Sequence, residues 1–124
     1  VFSKGLSTAL VTASPQAMFN FVDSRLKLTS IFKTVIYGGM TKDQKPHPAP
    51  YLLAMDRLNS SPSETVIIED SVHGLQSARD SGAVVIGIRG SIPEESLSIA
   101  HHIVSRLSEL NAQSLTEVHE TYHL

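Results

Sequence analysis

The feature that most constrains the fold of this chain is the alternation of short apolar runs with amphipathic stretches. The apolar runs predict buried strands at residues 9–11, 34–37, 65–68 and 84–88, with a short edge strand at 103–104. Strands that are apolar throughout and separated by helices are typical of a parallel sheet covered on both faces. The sequence therefore predicts an α/β fold, a three-layer Rossmann-like parallel sheet.

The stretch after the first apolar run predicts a helix. Ser14 is a residue type that caps helices, and Pro15 suits the first helical position. Apolar residues then recur at helical spacing and predict a buried face formed by Met18, Phe21, Val22 and Leu26.

The later stretches also predict helices. One opens at Pro48, and its predicted apolar face is Tyr51, Leu52, Met55 and Leu58. Another carries Val72, Leu75 and Ala78 and is closed by Gly82 at a C′ position. Residues 93–99 predict a short helix, and the tail at 106–124 is predicted to be helical. All 124 residues are expected to form one domain.

Composition excludes several classes of protein. Ten basic and twelve acidic residues give a net charge of −2, which offers nucleic acid no general attraction. The chain has no cysteine, so disulfides and thiolate metal sites are excluded. Apolar runs fall far short of the ~20 residues of a membrane span, and residues 1–5 lack the apolar region of a signal peptide. We therefore expect a cytoplasmic protein without a membrane or nucleic-acid partner.

Polar residues that follow the strands are the candidates for chemistry, because ligands of parallel α/β sheets bind beyond the carboxyl ends of the strands. Thr12-Ala13-Ser14 follow the first strand and could bind an anion, although Ser14 could simply cap the helix. Lys45, stiffened by the prolines after it, could place a positive charge there, or it could be an ordinary surface lysine.

The third strand is followed by the adjacent carboxylates Glu69 and Asp70. Two carboxylates at the end of a buried strand need neutralisation, which a hard divalent cation supplies. Helix capping by Asp70 or Ser71 is the competing interpretation. Gly74 costs the helix about 1 kcal/mol relative to alanine and indicates that the helix closely approaches another backbone.

Taken together, these segments resemble the haloacid dehalogenase superfamily, in its phosphatase and β-phosphoglucomutase-like branch. The segments that carry the resemblance are ALVTAS at 9–14, KPHPAPYLLA at 45–54, VIIEDSVHGL at 66–75 and ARDSGA at 78–83. The resemblance extends from about Val1 to about Gly90. Residues beyond about Ser105 resemble no family, which leaves the tail unassigned.

The resemblance implies a role for each matching residue. The Thr12 hydroxyl would bind the transferring phosphoryl group with help from the Ala13 N–H, and Ser14 belongs to the same segment. Lys45 would neutralise phosphate charge and steady the nucleophile, and Glu69 and Asp70 would hold Mg²⁺ directly or through water. The implied substrate is a phosphorylated small molecule.

The chain departs from the family pattern at its amino-terminal end. The family's nucleophile is the first aspartate of an Asp-x-Asp-x-Thr-like motif, but no two aspartates here are separated by one residue; they lie at positions 23, 43, 56, 70 and 80. The cap domain is also missing. We therefore expect the carboxyl-terminal portion of the family's core, inactive alone.

In the family, the missing strand lies between the strand ending at Thr12 and the strand ending at Asp70. Unpaired backbone on an apolar strand invites pairing with another chain. The three expected outcomes are direct pairing of these two strands, a homodimer, or a complementing amino-terminal polypeptide. The alternative function is a non-catalytic binding or assembly module.

Three other patterns are given less weight. His119, Glu120 and His123 have the spacing of a zinc protease motif, but the tail has no room for a third ligand. His101 and His102 are neighbours before an edge strand and should face opposite sides. Ser71 and His73 lie near Asp70 without a Gly-x-Ser-x-Gly turn, so a serine hydrolase is not expected.

Overall fold

The computed structural model describes residues 6–123, so the predicted lack of a signal peptide at 1–5 lies outside the described residues. The strands are β1 (Ala9–Pro15), β2 (Thr34–Gly38), β3 (Val66–Glu69), β4 (Val84–Ile88) and β5 (His102–Val104). The α-helices are α1 (Gln16–Leu26), α2 (Leu28–Ile31), α3 (Ala49–Leu58), α4 (Val72–Asp80) and α5 (Ala112–Tyr122). Short 3₁₀ turns span Pro62–Glu64, Glu94–Ile99 and Leu107–Glu109. The predicted α/β alternation is confirmed.

All strand pairs are parallel, but the described strands form two sheets rather than one. β1 pairs with β2, and β3, β4 and β5 pair in that order. Val11 lies opposite Ile36 in the first sheet, and Ile68 lies opposite Ile86 in the second. Within residues 6–123, β1 and β3 do not pair with each other. The outcome in which these two strands pair directly is therefore wrong for the described chain.

The larger sheet is covered on both faces. One face packs against α4, where Leu75 and Val85 are completely buried. Side chains of α3, which contacts β1 and β2, join the same cluster. The other face packs against α5, where Ile86 contacts a cluster that includes Val118. The described part of the tail contains the 3₁₀ turn Leu107–Glu109 and the helix α5, which closes the third layer of the fold.

The smaller sheet is covered less completely, and the predicted apolar face of α1 is wrong. Phe19 is the buried side chain of this helix, and its ring stacks on that of Tyr37 at 5.9 Å. Met18, Phe21 and Leu26 are exposed. Helical spacing had indicated an amphipathic helix but could not indicate which side meets the sheet.

The start of α1 also differs from the prediction. β1 continues as far as Pro15, which pairs with Gly38, so the helix begins at Gln16. Pro15 occupies the cap position, and no side chain caps the helix. The capping role predicted for Ser14 is therefore wrong.

The later helices follow the sequence more closely. Pro48 precedes α3, Ser71 caps α4 by accepting from the Gly74 N–H at 3.1 Å, and Gly82 follows α4 with a φ of +91°. Leu52, predicted on the buried face of α3, is 43% exposed. Among residues 6–123, no helix is long and apolar enough to cross a membrane.

Candidate functional site

A groove of about 810 Å³ runs between β1 and β3, where the two sheets fail to pair. Its walls include the predicted residues Thr12, Ala13, Lys45, Glu69 and Asp70. The chain thus brings together residues that lie up to 58 positions apart, because the carboxyl ends of parallel strands meet at one edge. Ser14, the remaining predicted site residue, is not part of the lining of this groove.

The turn after β1 holds a hydroxyl and backbone groups beside the groove. The Ser14 N–H donates to the Thr12 hydroxyl oxygen at 3.2 Å, which fixes the threonine side chain. A Cβ at Gly38 would overlap the Ala13 carbonyl, so glycine permits β2 to approach this turn. With its oxygen accepting from Ser14, the Thr12 hydroxyl keeps its proton available for an anion.

Lys45 bridges the two sides of the groove. Its ammonium lies 2.6 Å from Glu69 Oε2 on β3 and donates to the Val11 carbonyl of β1 at 3.3 Å. The loop that carries it is held by Ser77, which is fully buried in α4 and whose hydroxyl donates to the His47 carbonyl at 2.7 Å. These contacts hold the Lys45 ammonium at the groove, where it is paired with Glu69.

Glu69 is 7% exposed and is fully engaged by its neighbours. Lys45 and the Tyr51 hydroxyl both donate to Oε2, and the Asp70 N–H donates to Oε1 at 3.3 Å. Burial, followed by the negative charge of Glu69, raises the pKa of Tyr51 above its ordinary value of 10.0, so the hydroxyl keeps its proton and acts as a donor.

Asp70 differs from its neighbour in the acidic pair. It is exposed on the groove, and among the described residues its carboxylate has no hydrogen-bond or ion-pair partner. Ser71 is the side chain that caps α4, so capping does not occupy Asp70. An unshared carboxylate is a ligand type that Mg²⁺ accepts, because Mg²⁺ usually binds through one or two carboxylates plus substrate phosphate oxygens.

The contacts of Tyr51 and Gly74 with the Glu69 carboxylate were not predicted from the sequence. Tyr51 was placed on the apolar face of its helix, but its hydroxyl reaches Glu69, eighteen residues away. Gly74 was expected to allow contact with another backbone, but a Cβ there would overlap the Glu69 carboxylate instead. The signal for Gly74 was present in the sequence, whereas nothing in the sequence marked the tyrosine hydroxyl.

The histidines of the competing patterns have other contacts. His119 Nε2 lies 2.6 Å from the Ser63 carbonyl, and its ring stacks on that of His123 at 4.6 Å. His101 Nδ1 accepts from the Val85 N–H at 2.9 Å, and the rings of His101 and His102 both lie near that of Tyr122. Between residues 6 and 123, no cluster of three histidine or acidic side chains could hold a metal ion.

Comparison with known proteins agrees with this geometry. The sequence model of the haloacid dehalogenase-like hydrolases matches residues 1–88. A phosphorylated carbohydrates phosphatase from Thermotoga maritima is 38% identical over 82 residues, which are 66% of this chain and 38% of that protein. Phosphoglycolate phosphatase from Escherichia coli K12 is 31% identical over 69% of this chain and 34% of that protein.

A solved structure shows the same architecture. The β-phosphoglucomutase from Clostridium difficile superposes with a TM-score of 0.85 and 25% identity, covering 98% of this chain and 52% of that one. The chain therefore belongs to the haloacid dehalogenase-like hydrolases. Within that family it is a phosphatase- and phosphoglucomutase-like domain, and it spans between about a third and about half of the length of these relatives.

Proposed function

We propose that this chain is the phosphate- and cation-binding part of a Mg²⁺-dependent phosphomonoester hydrolase, and that hydrolysis needs an aspartate carried on a strand that enters the groove. The observation that carries the proposal is the placement of Thr12, Lys45 and Asp70 around one groove between two strands that do not pair. The substrate class is a phosphorylated small molecule, in keeping with the phosphatase names of the relatives.

Each side chain has a chemical task in this proposal. Lys45 neutralises charge on the phosphoryl oxygens, and the Thr12 hydroxyl donates a hydrogen bond to one of them. Asp70 would hold Mg²⁺, which supplies further charge stabilisation at the transferring phosphoryl group. Binding and orientation are thus provided by residues of this chain.

The described groove offers no carboxylate free to attack the phosphoryl group once Asp70 binds the cation. Its carboxylates within residues 6–123 are Glu69 and Asp70. Glu69 is occupied by Lys45 and Tyr51, and Asp70 is the cation ligand of the proposal. In this proposal the nucleophile therefore comes from a polypeptide segment outside the described chain.

The test is hydrolysis of p-nitrophenyl phosphate with and without Mg²⁺, with Asp70→Asn as the control. We expect no turnover above that control from the chain alone. Adding a peptide that carries the family's Asp-x-Asp-x-Thr strand should produce Mg²⁺-dependent turnover that Asp70→Asn abolishes. Turnover by the chain alone would contradict the need for a second segment, and failure of the peptide to restore any turnover would contradict the hydrolase proposal.

Exposed apolar side chains on α1 favour a second candidate, a non-catalytic assembly module. Met18 is 55% exposed, and Phe21 and Leu26 are each 60% exposed. Together with the unpaired edges of β1 and β3, they offer surface for a second copy of the chain. Sedimentation analysis across a concentration range separates the candidates, since a chain that stays monomeric and gains turnover with the peptide excludes the assembly module.

A further inference from the structure

The Glu69 carboxylate is anchored by donors from the loop before α3, from α3 itself and from the backbone directly after β3. Lys45 Nζ at 2.6 Å and the Tyr51 hydroxyl share Oε2, while the Asp70 N–H donates to Oε1. Hydrogen bonds to ionised groups are roughly twice as strong as neutral ones. A buried carboxylate with these partners is held in one orientation.

The backbone of α4 blocks the remaining side of this carboxylate. A Cβ at Gly74 would overlap both oxygens of Glu69, so the helix lies directly against them. We call Lys45, Tyr51, Glu69 and Gly74 the Glu69 clasp. Within the clasp, turning the carboxylate away from Lys45 would break its bonds to both side-chain donors.

Tyr51 contacts both charged members of the clasp. Tyr51 is 6% exposed, and Lys45 Nζ lies 5.0 Å from its ring centroid, within the range of a cation–π interaction. Its hydroxyl reaches Glu69 from α3. A phenylalanine here would keep the ring beside Lys45 and would remove one of the two donors to Oε2.

The two carboxylates of the acidic pair are thus in opposite situations. Glu69 is buried with every oxygen engaged, and Asp70 is exposed on the groove without a hydrogen-bonding or ion-pairing partner among residues 6–123. We propose that Tyr51 is a positioning residue that keeps Glu69 on Lys45 and thereby keeps Glu69 from competing with Asp70 for the divalent cation of the proposed function. The cation part rests on the proposed function.

The cation assignment is tested by titrating Mn²⁺ into the ¹⁵N-labelled chain, because Mn²⁺ accepts the oxygen ligands of Mg²⁺ and broadens nearby amide resonances. We expect broadening centred on residues 70–72. Asp70→Asn should weaken Mn²⁺ affinity by about tenfold or more, whereas Glu69→Gln should change it less than about threefold, through lost charge only. Equal losses in the two variants, or no broadening near Asp70, would overturn the assignment.

The positioning role is tested by Tyr51→Phe, with Tyr37→Phe as the matched control because the Tyr37 hydroxyl has no hydrogen-bond partner among residues 6–123. A Glu69 released from one donor can turn toward the cation, so Tyr51→Phe should tighten Mn²⁺ binding by about twofold or more. This gain should be absent from the Tyr51→Phe/Glu69→Gln double variant and from the control.

A tyrosine that served only the packing of α3 would give a different result. Tyr51→Phe would then lower the melting temperature and leave Mn²⁺ affinity unchanged, which would overturn the positioning role. None of these measurements needs turnover. A failure of peptide-restored hydrolysis can therefore be told apart from a failure of the Glu69 clasp.

Discussion

The sheet of β3, β4 and β5 and the sheet of β1 and β2 are covered to different degrees. The residues of β4 from Val84 to Gly87 are all buried, because α4 packs on one face and α5 on the other. The strands β1 and β2 contact α1 and α3. Ile36 is the one buried residue of these strands, and α1 contributes a single buried side chain, Phe19.

The sheet of β3, β4 and β5 therefore has a well-buried core, whereas the part formed by β1, β2 and α1 leaves apolar side chains exposed to solvent. The free energy of burial is roughly proportional to the apolar area removed from water. The larger sheet therefore supplies most of the stability of the described chain. The smaller sheet contributes residues of β1 to the groove, and the helix α1 beside it keeps exposed apolar side chains. The site lies on the boundary between the two parts.

The largest effect is expected from truncating the core of the larger part. Leu75 is completely buried, and Leu75→Ala should lower the free energy of unfolding by about 2–5 kcal/mol through lost burial and the remaining cavity. Leu26→Ala, at a residue that is 60% exposed on α1, should change it by less than about 0.5 kcal/mol. Urea denaturation measures both, and similar losses would contradict the unequal covering of the two sheets.

A smaller loss is expected when α4 is pushed away from Glu69. Gly74→Ala should lower the free energy of unfolding by about 1–3 kcal/mol, because the new methyl group overlaps a carboxylate that cannot move aside. Alanine would otherwise favour a helix by about 1 kcal/mol. Gln76→Ala on the same helix is the control, and a stabilised Gly74→Ala variant would show that Glu69 is free to move.

Two serines allow a hydrogen bond of the same type, from a hydroxyl to a backbone carbonyl, to be compared between the larger sheet's helix α4 and the smaller sheet's helix α1. Ser77 in α4 and Ser24 in α1 each donate to a backbone carbonyl at 2.7 Å, but Ser77 is fully buried and Ser24 is exposed. Ser77→Ala should cost about 1–3 kcal/mol, since the His47 carbonyl loses its partner. Ser24→Ala should cost less than about 0.5 kcal/mol, and thermal denaturation giving equal costs would argue against the comparison.

The smallest effect is a dependence of stability on pH in the larger part. Burial, and then the charge of Arg79, lower the pKa of His101 below its ordinary value of 6.5. The unfolded chain therefore binds the proton more readily, and the free energy of unfolding should fall as the pH drops below 6.5.

Protonation of the His101 ring would also remove the acceptor of the Val85 N–H. In His101→Gln, whose amide oxygen can still accept, this part of the pH dependence should disappear. Denaturation midpoints at several pH values below 6.5 provide the measurement. An unchanged slope in the variant would assign the dependence to another group.

Much of the fold was predictable from the sequence because strand burial is encoded in continuous apolar runs such as residues 84–88. The face of α1 was not, since Met18 and Phe19 are adjacent and apolar, and only packing on Tyr37 decides which is buried. Pairing of Pro15 with Gly38 likewise extended β1 past the expected cap at Ser14.

The site was predictable to the level of residue types at strand ends. Sequence placed Lys45 and the acidic pair at the same edge, and the groove contains them. It could not distinguish Glu69 from Asp70, because that distinction depends on which carboxylate meets the Tyr51 hydroxyl in three dimensions.

The hydrogen bond from Lys45 to the Val11 carbonyl has a consequence for anything that enters the groove. That carbonyl belongs to β1, which borders the groove, and a strand that entered the groove would form backbone hydrogen bonds with β1. An occupant that donates to it competes with the ammonium for this acceptor, so entry of the occupant and release of the lysine are thermodynamically linked. The linkage is reciprocal: a ligand that draws Lys45 away from Val11 makes entry easier by the same factor.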